Sequence, residues 1–148
     1  VLAAIEAWPL AGLIRTSTWG YPALEVLHIA ALASLFGALL LLDLRLWGRA
    51  PRLPLAALAG LAVPVALSGF ALAAATGALM LMARATEIAT HPAFLVKLGL
   101  IGMAGANAWW FHRRRSAQRH DRLARLQGFL SLGLWFGAIA AGRWIAYV

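Results

Sequence analysis

Residues 23–42 read ALEVLHIAALASLFGALLLL, a run in which only Glu25, His28 and Ser34 are polar. As an α-helix this run is about 30 Å long, the thickness of a bilayer's hydrocarbon core. A helix facing water would carry a polar stripe along one side, and this run has none. It therefore reads as a membrane span. Glu25 and His28 become the first candidates for function, because an ionisable group in lipid is costly and usually faces a protein interior or a cofactor.

Three more stretches follow the same pattern. Spans are expected at about 22–47, 55–82, 93–111 and 126–147, in one integral membrane domain. The fold class is all-α, a four-transmembrane-helix bundle with a short N-terminal interfacial helix. That first segment, residues 1–20, is moderately apolar but broken by Glu6, Pro9 and Arg15. It suits one or two helical turns lying in the interface, with Trp8, Trp19 and Tyr21 at headgroup level. Span one is too long and too far from the N-terminus for a signal peptide. Gly48, Pro51 and Pro54 separate spans one and two. In span two Pro64 is expected to kink the helix, and Gly60, Gly69 and Gly77 allow close packing. Thr90 is placed to cap span three, with Pro92 at its first position. The GLIGMAG segment of span three offers another close helix contact. Asp43 with Arg45, and Asn107, are expected to tie helix ends.

Composition agrees: 63% of residues are hydrophobic and 12% charged, against roughly 45–50% and 25% in soluble domains. With no cysteine, disulfides, thiolate-held metals and iron–sulfur clusters are excluded. The net charge of +8 lies between apolar spans, so it is read as a topology signal meeting anionic lipid, with no nucleic-acid partner. Nine basic residues (Arg45, Arg49, Arg52, Arg113, Arg114, Arg115, Arg119, Arg122, Arg125) fall on one side. Arg15, Arg84, Lys97 and Arg143 fall on the other. Loops one and three are thus expected in the cytoplasm and both termini outside.

That topology sorts polar groups by depth. His28 lies roughly 9 Å below the outer surface at about 1.5 Å per residue. Glu25, His28, Met80, Met82, Arg84, His91, Lys97 and Arg143 converge on the outer half. His112 and His120 belong to the opposite face, about 30 Å away. Two imidazoles at one depth suggest haem b, with His28 and His91 as axial candidates, or His28 with a methionine. Arg143, Arg84 and Lys97 would supply cations for its propionates, and Arg143 could instead pair with Glu25. The same groups suit copper, since His28, His91 and Met80 form a soft N/S set. Met80 and Met82 diverge by about 200° on a helix, so only one faces inward easily. A third reading is a structural subunit of a larger membrane complex. A hydrolase or transferase is rejected, because no nucleophile–base pair or phosphate-binding glycine loop is present.

The segments WGYPALEVLHIAALASLFGALLLLDLRLWG, HPAFLVKLGLIGMAGANAWWFHRR and AGRWIAYV together resemble an uncharacterised family of small bacterial four-helix inner-membrane proteins. That likeness covers nearly the whole chain. More distantly the chain is similar to copper-resistance D-type membrane proteins and to four-helix b-type cytochromes. The resemblance implies an inner-membrane, multi-pass protein. Two-haem b-type cytochromes carry paired histidines on both sides, so at most one outer haem is implied here unless His112 holds a second. The expectation carried forward is an electron-relaying b-type haem protein, acting as a subunit or homo-oligomer among membrane lipid.

Overall fold

A computed structural model describes residues 1–119 and 121–145 of the chain. The described residues are helical, with no strand. Two short helices, α1 (Leu2–Glu6) and α2 (Pro9–Thr16), precede the first long one, α3 (Gly20–Leu46). The others are α4 (Leu55–Ala83), α5 (Ala85–Ile88), α6 (Pro92–Arg113), α7 (Ser116–Arg119) and α8 (Arg122–Trp144). Helices α3, α4, α6 and α8 are each long and apolar enough to cross a membrane. Large apolar side chains on their outer faces, such as Val26, Leu61, Val96 and Phe136, are exposed. That is costly in water and neutral in lipid.

The four expected spans are present, with shifted ends. Span four starts at Arg122, because the Asp121 side chain accepts the Ala124 N–H and caps the helix there. Its expected end at residue 147 lies outside the described residues. Span three is capped by His91 rather than Thr90: Nδ1 of His91 accepts the Ala93 N–H at 3.1 Å. The Thr90 hydroxyl instead faces back toward the Thr86 carbonyl. Helix α3 ends where Gly48, at φ 93°, turns the chain. Gly48 N–H bonds the Arg45 carbonyl and Arg49 N–H bonds the Leu44 carbonyl, the paired bonds of a Schellman stop.

Packing follows the small residues. On α4, Ala62, Ala66, Gly69, Ala73 and Thr76 are all buried, at alternating spacings of four and three that draw one stripe along the helix. Leu35 and Ala38 of α3 pack with Ala62 and Ala66. At Gly69 the backbones meet so closely that a Cβ would lie 2.8 Å from the Ala31 carbonyl oxygen. The glycines of GLIGMAG behave differently from expectation. Gly99, Gly102 and Gly105 face open space, and α6 meets α8 through Leu100 at Gly137 and Lys97 at Gly142. In sum α4 packs on α3, α3 on α8, and α8 on α6, while α4 and α6 make no comparable contact. A cleft therefore separates α4 from α6, floored by α3 and α8.

The N-terminal helices fold back over one end of this bundle. Oε1 of Glu6 accepts from the Thr86 N–H at 2.7 Å and from its hydroxyl at 2.8 Å. Arg15 donates to the Ala83 carbonyl. Ala11 and Ile14 of α2 are buried, while Trp8, Leu13 and Trp19 are exposed.

Candidate functional site

Helices α3 and α6 begin, and α4 and α8 end, at one end of the bundle, the His91 end. There the cleft widens to a pocket of about 440 Å³. Glu25 and His28 enter it from α3, Met80 from α4, Lys97 from α6 and Arg143 from α8, with Arg84, Glu87 and His91 at its mouth. The outer-half candidates Glu25, His28, Met80, Arg84, His91, Lys97 and Arg143 all line this one pocket. Met82 does not, in keeping with its angular separation from Met80.

His28 is held by a partner that the sequence reading did not single out. Its Nδ1 lies 2.9 Å from Oγ1 of Thr76 on α4. The Thr76 hydroxyl lies 2.7 Å from the Leu72 carbonyl and 3.2 Å from that of Ala73. With its one proton given to either carbonyl, Thr76 Oγ1 accepts from His28; in that arrangement Nδ1 carries the proton and Nε2 keeps its lone pair. Gly77 makes room for the ring, since a Cβ there would stand 3.2 Å from Cε1 of His28. A threonine inside an apolar helix, on its buried stripe, was the available signal.

His91 has the opposite tautomer. Its Nδ1 lone pair receives the Ala93 N–H, so the neutral ring carries its proton on Nε2. While it caps α6, His91 has no lone pair left for a metal and can only donate from Nε2.

The charged groups are unevenly engaged. Arg84 is forked onto Glu87 through Nε and Nη2, at 2.8 and 2.7 Å. Glu25 makes no salt bridge with Arg143; among the described residues the ion pairs are Arg84–Glu87 and Arg114–Asp121. The Lys97 ammonium lies against the Gly142 backbone, where a Cβ would stand 3.0 Å from Nζ. Three cations and two carboxylates line the pocket, leaving one positive charge in excess. Such a wall suits an anionic group at the membrane surface.

Other candidates are elsewhere. His112, with Nδ1 donating to the Ala108 carbonyl, lines a second pocket toward the opposite, arginine-rich end. His120 lies outside the described residues. Asp43 and Arg45 do not pair: Arg45 donates to the carbonyls of Leu53 and Pro51 in the following loop. Asp43 is buried against Gly128 of α8. Asn107 ties α6 to α8 by donating to the Gln127 carbonyl at 3.0 Å, and it is buried. No group of three or more His, Cys, Asp or Glu able to hold a metal ion occurs among the described residues. Comparison with protein families, with curated proteins and with solved structures found no match in any of the three.

Proposed function

We propose that this chain is an integral membrane b-type haem protein that relays electrons. One haem would be held at the His91 end by Nε2 of His28. The observation that carries the reading is His28 itself, fixed by Thr76 in the tautomer that leaves Nε2 a lone pair, in a pocket shared with Lys97 and Arg143. A histidine whose second nitrogen is oriented by a hydrogen bond is the usual form of a metal-binding imidazole. Lys97 and Arg143 would receive the propionates, with Arg84 shared between Glu87 and the ligand. Met80 is the second axial candidate on α4; His91 serves the site as the cap of α6. When bound, haem supplies one-electron chemistry whose potential follows ligand identity and burial.

The reading puts the protein in the bacterial inner membrane, arginine-rich end in the cytoplasm, as a subunit or homo-oligomer. Copper is the second reading, favoured by the soft pair His28 and Met80 in one pocket.

A reduced-minus-oxidised visible spectrum of the purified protein, with extracted haem quantified, tests the proposal. Sharp α and Soret bands at one haem per chain are expected, and His28→Ala should abolish them. Colourless protein from cells amply supplied with haem would sink the reading, and copper analysis would then decide the second one.

A further inference from the structure

The cleft between α4 and α6 has a second chamber, nearer the arginine-rich end, of about 530 Å³. Its walls are mostly apolar, with Leu35, Leu39, Val63 and Trp135 among them. Leu67 and Phe70 also line it while being 63% and 41% exposed, so its rim faces lipid directly.

At its floor stand three buried polar side chains, Asp43, Asn107 and Gln127, exposed by only 6%, 7% and 2%. Each has one buried atom with no hydrogen-bond partner: Oδ2 of Asp43, Oδ1 of Asn107 and Nε2 of Gln127. The neighbours of the two amides fix what their atoms are. Asn107 donates through Nδ2 to the Gln127 carbonyl, so its Oδ1 is an acceptor. Ser116 receives from Arg114 and gives its proton to Oε1 of Gln127, so Nε2 is a donor. The floor thus presents an amide acceptor, an amide donor and a carboxyl oxygen, all unmet.

An orphaned buried polar atom is costly, so three in one chamber call for an occupant. A bare cation fits poorly, because the Gln127 amide would turn its hydrogens toward it. Arg115 also lines the chamber, but an anion at the floor would meet the Asp43 and Asn107 oxygens. Water alone would meet the polar atoms but leave the apolar volume unexplained. The chamber holds many times the roughly 30 Å³ share of one water and falls in the range of small-molecule sites.

We propose that this chamber binds a lipid-soluble molecule whose uncharged head bears at least two hydroxyl groups. They donate to Asp43 and Asn107 and accept from Gln127. The apolar body lies between α4 and α6 and enters sideways from the bilayer past Leu67 and Phe70. Two sources carry this chemistry, a hydroquinone and a glycerol lipid with free hydroxyls. The proposal stands apart from the haem reading, since it uses none of the residues of the His28 pocket.

The test uses the full chain in phosphatidylcholine nanodiscs, with retention by empty discs subtracted. The probes are decyl-1,4-hydroquinone kept reduced, monodecanoylglycerol, and decyl-1,4-dimethoxybenzene, which keeps the body and ring but has no hydrogens to donate. One saturable site per chain is expected for at least one hydroxyl probe, with the dimethoxy compound about tenfold weaker or more. Saturation by the hydroquinone assigns a redox carrier, and by the glycerol probe a lipid. Asn107→Leu and Gln127→Leu should each weaken binding about tenfold. Equal binding of the dimethoxy compound, no saturable binding by either hydroxyl probe, or unchanged binding in folded variants would overturn the proposal. If both variants fail to fold, the dimethoxy comparison on the unaltered chain decides.

Discussion

Thr76 gives His28 its tautomer from a different helix, 48 residues away. Thr76→Val keeps the shape but removes the Thr76 oxygen from the His28 N–H. On the proposed haem reading, haem affinity should fall about 10- to 100-fold, as when the orienting partner of a metal-ligating histidine is lost; Thr76→Ser should restore it, as haem titration would check. His91 separates a capping from a ligating role. His91→Asn should keep both pigment and stability, whereas His91→Ala should keep pigment but cost about 1 kcal/mol of stability in a denaturant titration. At Glu6 the Thr86 backbone N–H, then its hydroxyl, hold the carboxyl below its ordinary value of 4.5. Because the folded value is the lower one, the contribution is complete above that ordinary value and is lost as pH falls through the depressed one. Hydrogen exchange at Thr86 should accelerate in that window in the parent chain and not in Glu6→Gln. Depth counting on the sequence was enough to bring Glu25, His28, Met80, Arg84, His91, Lys97 and Arg143 to one end. It could not say which nitrogen of each histidine is engaged, because Thr76 and the Ala93 N–H become partners only once the helices are placed. Asp43 was read as a tie to Arg45 for the same reason: its neighbour Gly128 comes from α8. The reading of Asn107 as a tie holds, since it joins α6 to α8.

At the scale of elements, Gly69 decides how near α3 and α4 can come. Gly69→Val would drive a side chain into the Ala31 carbonyl and Leu35 N–H, both backbone groups that cannot rotate aside. A loss of about 1–3 kcal/mol is expected in denaturant unfolding, whereas Gly60→Val, facing open space, should lose far less. The small-residue stripe of α4 was legible in the sequence because alanine and glycine recur along one face. The glycines of α6 were misread because composition alone does not say which face meets a neighbour. Theirs borders open space, and Gly105 lines the chamber nearer the arginine-rich end. Helix ends were legible where a proline or glycine marks them, as at Gly48 and Pro92, and shifted where a side chain such as Asp121 acts as the cap.

On the scale of the whole molecule, four long helices were readable from hydrophobicity alone, but the missing contact between α4 and α6 was not. Apolar periodicity in lipid does not distinguish a face that packs on protein from one that meets acyl chains. Orientation can be tested independently of any ligand. A fluorescent reporter inserted in the loop at residues 49–52 should fold in the cytoplasm, and an alkaline phosphatase inserted at residues 89–90 should be active outside. The opposite pattern would reverse the charge-based assignment. The clasp between Glu6 and Thr86 also has a bearing on how the protein is made. Its halves are 80 residues apart in the chain, so at about 5–20 residues per second the ribosome needs about 4–16 s to supply the second after the first. Through that interval α2 can already rest on α3, whereas α1 lacks its Thr86 partner. The second span has to be threaded before the N-terminal strap can close, and the third and fourth spans follow it.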